Sequence, residues 1–172
     1  MSNNDHEDIK THTIAVLVDN ESGVLARVIG LFSGRGYNIE SLTVAQVDPT
    51  EKLSRITLVT SGTPMVIEQI KAQLGRLVPV HKVRDLTVEG PAVARELALV
   101  KVVGTGEKRV ESLRIADIFR ANVVDSTNES FVFEIVGKTE KLDAFIALME
   151  PLGLVDVSRT GVAAIARGLG AL

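Results

Sequence analysis

Residues 13–87 and 96–160 carry the same succession of hydrophobic periods, and this repeat constrains the fold more than any other property of the chain. In the first, residues 14–18 form a short apolar run rich in β-branched side chains, the pattern of a strand buried on both faces. The spacing then changes over residues 23–34. Val24, Leu25, Val28, Ile29, Leu31 and Phe32 recur at the period of a helix and form one stripe. Gly34 and Gly36 supply the backbone freedom that ends it. Residues 41–47 and 53–60 read as strands joined by a turn around Asp48-Pro49-Thr50. Thr63-Pro64 starts a second helix, with threonine as cap and proline in the first turn, and Ile67, Ile70 and Leu74 lie on its buried stripe. Residues 78–86 close as a strand, where Pro79 marks its beginning or a sheet edge.

The order is β-α-β-β-α-β. After a connector at 88–95 containing Gly90-Pro91, it recurs. Residues 96–103 are strand-like and 107–121 helical. A hairpin of 123–127 and 130–136 turns around Asn128-Glu129, and 139–150 is a helix with Leu142, Phe145, Ile146 and Met149 on one face. Residues 154–158 form the last strand. The expected fold class is α+β: two tandem ferredoxin-like βαββαβ domains, each with two helices on one face of a four-stranded antiparallel sheet. Residues 1–12 are expected to form a disordered tail, 88–95 a linker, and 161–172 a Gly/Ala-rich tail of unassigned structure. Domains this small are near the lower limit of independent stability, and their sheet edges invite pairing with another copy.

Composition narrows the function. Apolar residues make up 45% but aromatic ones only 3%, so the cores are expected to be built from Val, Ile, Leu and Ala. Mean hydropathy is +0.23, yet no uninterrupted apolar run is long enough to span a membrane. The surplus apolar surface is expected in subunit contacts. A net charge of −3 with interspersed signs gives no basic footprint for nucleic acid. The absence of cysteine excludes disulfides, a thiol nucleophile and thiolate zinc sites. The polar opening lacks the order of a signal peptide, so a cytoplasmic setting is expected.

The turn Asp19-Asn20-Glu21-Ser22-Gly23 hands a strand over to a helix whose first N–H groups have no intrahelical partner. With the positive end of the helix dipole, these make a site for a carboxylate. Gly23 lets a ligand approach the N–H groups of Gly23 and Val24, and the Asn20 amide offers both a donor and an acceptor, which suits a zwitterion. In the plainer reading Asn20 or Ser22 only caps the helix, worth about 1 kcal/mol. Asn38, just before the second strand, is expected beside the first strand or near the first helix of a neighbouring copy. There its amide would face a ligand's amino group. Its plainer role is a turn residue after Gly36.

Other features point away from chemistry. Gly104-Thr105-Gly106 has the position of a dinucleotide-binding turn, but Arg109 stands where the third glycine belongs. The turn at Asp19 lacks the later carboxylates of a calcium loop. His6, His12 and His81 have no paired spacing, and Arg35 and Arg55 read as solvated charges. No catalytic residue and no metal site is expected.

The segment Val18-Asp19-Asn20-Glu21-Ser22-Gly23-Val24-Leu25-Ala26-Arg27-Val28-Ile29-Gly30-Leu31-Phe32, followed by Arg35-Gly36-Tyr37-Asn38-Ile39-Glu40-Ser41-Leu42-Thr43-Val44, resembles the ACT domain of acetolactate synthase (acetohydroxyacid synthase) small regulatory subunits. The resemblance continues through Leu53-Ser54-Arg55, Arg95-Glu96-Leu97, Lys141-Leu142-Asp143-Ala144-Phe145 and Ser158-Arg159-Thr160-Gly161. It implies that residues 13–87 are an effector-binding ACT domain and 96–160 a C-terminal regulatory domain. It implies a chain without cofactors of its own, beside a catalytic large subunit that carries thiamine diphosphate, magnesium and FAD. Such a chain would activate that subunit and confer feedback inhibition by valine in branched-chain amino-acid synthesis. The valine site would lie between two paired ACT domains, on Asn20, Gly23, Val24, Leu25, Asn38 and Ile39, with Ala45 a secondary position. Gly23 and Val24 N–H groups would take the carboxylate and Leu25 and Ile39 the branched side chain. The alternative is a stand-alone amino-acid-sensing ACT module acting on another target.

Overall fold

A computed structural model describes residues 8–172, so His6 and its neighbours at positions 1–7 lie outside the described residues. The chain divides into two units: residues up to Val93 together with Ala164–Leu172, and Ala94–Ala163.

In the first unit β1 (Lys10–Asp19), α1 (Val24–Arg35), β2 (Ser41–Asp48), β3 (Leu53–Gly62), α2 (Pro64–Arg76) and β4 (Val80–Asp85) follow in sequence. The strands form an antiparallel sheet ordered β2-β3-β1-β4. Ile14 pairs with Leu58 and Val16 with Ile56, so alternation sends all four to one face. Both helices cover that face, sinking Val28, Phe32, Ile67, Ile70 and Leu74 into it. Each such side chain, once buried, stabilises the fold by about 1.5–3 kcal/mol.

Helix ends follow local chemistry. Gly36, at φ 70°, ends α1: its N–H bonds the Ser33 carbonyl and the Tyr37 N–H the Phe32 carbonyl. Thr63 Oγ1 accepts from the Val66 N–H at the start of α2.

The second unit repeats the plan. β5 (Ala92–Val103), α3 (Gly106–Ile118), β6 (Asn122–Ser126), β7 (Ser130–Gly137), α4 (Thr139–Met149) and β8 (Leu154–Arg159) give the sheet order β6-β7-β5-β8; a short β9 (Ala163–Ala166), which pairs with β5, belongs to the first unit from Ala164 onward. Its core departs from the aliphatic expectation. Four of the five phenylalanines, Phe119, Phe131, Phe133 and Phe145, pack together here, with Phe133 and Phe145 edge to face at 6.0 Å.

Several boundaries differ from those the periodicity predicts. β1 begins at Lys10, inside the stretch expected to be tail, because Thr11 and His12 pair with Ser61 and Thr60. Residues 92–95 belong to β5 rather than to a linker. α3 stops at Ile118, three residues early. Arg120 adopts a left-handed backbone at φ 55°, letting the Ala121 N–H reach the Ala116 carbonyl. Since arginine lacks the glycine signature, the stop is invisible in the sequence. The stretch 161–172 is also built in: Arg55 donates to the Ala164 carbonyl at 2.6 Å, Lys82 to that of Ala171, and the Arg167 N–H to Pro91. Those donors lie far away in the chain, and the run Ala163-Ala164-Ile165-Ala166 is too short to announce a strand by itself.

Candidate functional site

The turn between β1 and α1 is held from three sides. The Asp19 N–H donates to the Pro79 carbonyl (2.9 Å), the Asn20 N–H to that of Lys52 (2.7 Å), and His81 Nε2 lies 2.5 Å from Asp19 Oδ1. These anchors come from β4, its lead-in and the β2–β3 turn, and no local pattern in the sequence foretold them. Gly23 is the N-cap, at φ 86°, and no side chain caps the helix. Asn20 and Ser22 therefore do not perform the capping role open to them, and both are exposed. Apart from its chain neighbours, no atom of the described residues lies within 4 Å of where a Gly23 side chain would begin, so the helix end is open there. The first turn of α1 holds no acidic residue to repel an anion.

The remaining expected positions divide by role. Val24 is buried in the core and offers only its backbone, and its N–H makes a long bond of 3.4 Å to the Glu21 carbonyl. Leu25 is 37% exposed. Ile39 is half-buried against the core, while Ala45 and Asn38 are exposed. Asn38 is fixed through its backbone: its carbonyl accepts from Thr60 Oγ1 at 2.6 Å.

One expectation needs correcting. β2 does not pair beside β1; β3 lies between them and β2 forms the sheet edge. Asn20 is tied to Lys52 at one end of β3 and Asn38 to Thr60 at the other. Eight residues of strand separate those anchors by roughly 26 Å. A single copy therefore cannot bring Asn20 and Asn38 onto one small ligand.

The corresponding turn of the second unit is built differently. Thr105 is the N-cap without a side-chain bond, Gly106 sits at φ 62°, and Glu107 occupies the first turn. Arg109 lies over the Phe131 ring at 3.8 Å, a structural use of the position where a dinucleotide fingerprint would need glycine. Two of the histidines meet carboxylates: His81 meets Asp19, and His12 meets the fully buried Asp85 at 2.7 Å. Among the described residues no group of His, Asp and Glu gathers as a metal site, and no helix is long and apolar enough to cross a membrane.

Two ferredoxin-like units, one with an open glycine turn at a helix N-terminus, define a tandem α+β protein of the ACT-containing class. Residues 14–82 match the family described as the AHAS small subunit-like ACT domain, and residues 95–168 the small subunit of acetolactate synthase. A probable acetolactate synthase small subunit of Archaeoglobus fulgidus is 47% identical over 157 residues, covering 91% of this chain and 97% of the relative. The acetolactate synthase isozyme 3 small subunit of Escherichia coli is 48% identical, covering 90% and 94%. The crystal structure of the acetolactate synthase small subunit from Thermotoga maritima superposes with a TM-score of 0.84 at 36% identity, covering 94% of this chain and 99% of that one. The chain belongs to the acetolactate synthase small-subunit family. That membership supports a regulatory role beside a catalytic large subunit.

Proposed function

We propose that this chain activates the catalytic subunit of acetolactate synthase and makes it sensitive to feedback inhibition by valine, bound between two copies of the first unit. The observation that carries this reading is the uncapped, glycine-opened start of α1 at the far end of the sheet from Asn38.

The edge strand supplies the geometry. β2 lies at the sheet edge, where Val44 is 43% exposed, and on α1 Leu25 and Ile29 are each 37% exposed, so this unit leaves apolar side chains uncovered. If two copies pair their β2 strands antiparallel about a two-fold axis, the Asn38 end of one meets the Asn20 end of the other. The roughly 26 Å separation within one chain then becomes proximity between two. In this arrangement the α1 N-terminus at Gly23 receives the carboxylate, the Asn20 and Asn38 amides meet the ammonium and carboxylate, and Leu25 and Ile39 meet the branched side chain. Each methylene of the ligand contributes about 1–3 kcal/mol of discrimination, so valine, leucine and isoleucine compete. Thiamine diphosphate, magnesium and FAD are assigned in this reading to the catalytic partner.

Valine shifts the partner's activity only by its differential affinity for the activating and less activating arrangements. Asn20→Ala is therefore expected to abolish valine inhibition of the reconstituted complex while leaving activation intact, read as acetolactate formation with and without valine. Undiminished inhibition would show that the site lies elsewhere.

A further inference from the structure

The helical side of the first unit carries a groove that the effector reading does not use. Arg27, Leu31 and Arg35 of α1 face Gln73, Arg76 and Leu77 at the end of α2, around an open volume of about 400 Å³. Residues 27, 31 and 35 fall at i, i+4 and i+8, and 73, 76 and 77 at i, i+3 and i+4, so each set lies on one helix face. All three arginines are exposed, and among the described residues none has a carboxylate partner. Gln73 Oε1 is buried there and, among the described residues, has no hydrogen-bond partner.

The charge is local. α1 contains no acidic residue, and the single acid of α2, Glu68, is engaged by Lys71 at 2.7 Å. Both helices are thus net basic in a chain whose overall charge is −3. The second unit lacks the feature: α3 interleaves Glu107, Glu111 and Asp117 with Lys108, Arg109 and Arg114, and Arg114 is paired with Glu111. Three unpaired guanidinium groups call for carboxylates, the buried amide oxygen for an N–H donor, and the floor of Leu31 and Leu77 for an aliphatic side chain. A small inorganic anion provides the first alone. A stretch of polypeptide bearing acidic residues provides all three.

We propose that this α1–α2 groove docks an acidic segment of the catalytic large subunit, separately from the effector turn. The inference rests on the regulatory-subunit reading. Its test is binding of the full chain to the purified large subunit at several salt concentrations, comparing the unaltered protein, an Arg27→Glu/Arg35→Glu/Arg76→Glu variant and the matching triple Gln variant. These exposed substitutions leave the core untouched, and circular dichroism with valine calorimetry on the free chain checks that the fold and effector site persist. The Glu variant is expected to raise Kd by about 30-fold or more and the Gln variant by about 5–10-fold, with a shallower salt dependence in both. Equal Kd values across the three proteins would overturn the groove while leaving the regulatory reading in place. So would tight binding of inorganic triphosphate that both variants lose while still binding the large subunit normally. Failure of the unaltered chain to bind the large subunit would remove the reading and the inference together.

Discussion

The two units solve the same problem with opposite charges. In the first, His12 lies two residues before Ile14, which pairs with Asp85, and the His12 ring meets the Asp85 carboxylate. In the second, Glu96 lies two residues before Ala98, which pairs with Arg159, and the Arg159 guanidinium grips Glu96 at 2.7 and 2.9 Å. The place in the fold is the same, the first strand against the last, yet cation and anion have changed sides. In both units this end of the core sets a buried carboxylate against a basic side chain. What differs is the reach of the basic group: Arg159 also bonds Asp143 at 2.7 Å, and its hydrogen bonds to Glu96 and Asp143 hold the guanidinium still further above its already high range.

The comparison breaks most visibly at Arg159. Its replacement by methionine leaves Glu96, only 5% exposed, as an unpaired buried charge. A loss of about 3–5 kcal/mol is expected, read from the urea midpoint. His12→Leu is the matched test in the first unit. Asp85 retains a hydrogen bond from the Thr87 N–H at 3.0 Å, shorter than the 3.3 Å bond from the Thr139 hydroxyl that is left to Glu96, so the expected loss is smaller, about 1–3 kcal/mol. Losses of equal size would show that the two pairs are energetically as well as positionally equivalent.

The helix-start turns give a finer comparison. Gly23→Ala and Gly106→Ala both force a side chain into a left-handed backbone with open space around it, so each is expected to cost about 1–2 kcal/mol. Only the first is expected to weaken valine binding, measured by calorimetry. The smallest effect belongs to Lys71, whose pKa is raised chiefly by its hydrogen bond to Glu68. A raised folded value means this increment, about 0.2–0.5 kcal/mol, is fully present below the ordinary lysine pKa near 10.4 and fades as pH climbs through the raised one. Lys71→Met is accordingly expected to lower stability slightly at pH 7 and not at strongly alkaline pH, by thermal melts at each.

What was readable in the sequence follows from range. Periods of 2 and 3.6 are local, and among the described residues they disclosed the four α-helices, eight of the nine strands and the repeat. Thr63 and Gly36 announced helix ends because their chemistry acts within four residues. The features that escaped act across the chain: His12 finds Asp85 at a separation of 73 residues, His81 finds Asp19 at 62, and Arg55 finds Ala164 at 109. The effector turn was readable as a helix start with an amide and a glycine beside it. That Asn20 and Asn38 stand at opposite ends of β3 was not, since it depends on strand order rather than on either residue's neighbours.

The return of Ala164–Leu172 to the first unit makes Ala94–Ala163 an insertion rather than a second bead on a string. During synthesis the ribosome releases the whole interposed unit before it supplies the residues that complete the first. The inserted unit, with its own phenylalanine core, is thus free to fold ahead of its host. An insertion of about 70 residues that is itself compact costs its host less entropy to close than a flexible loop of that length would.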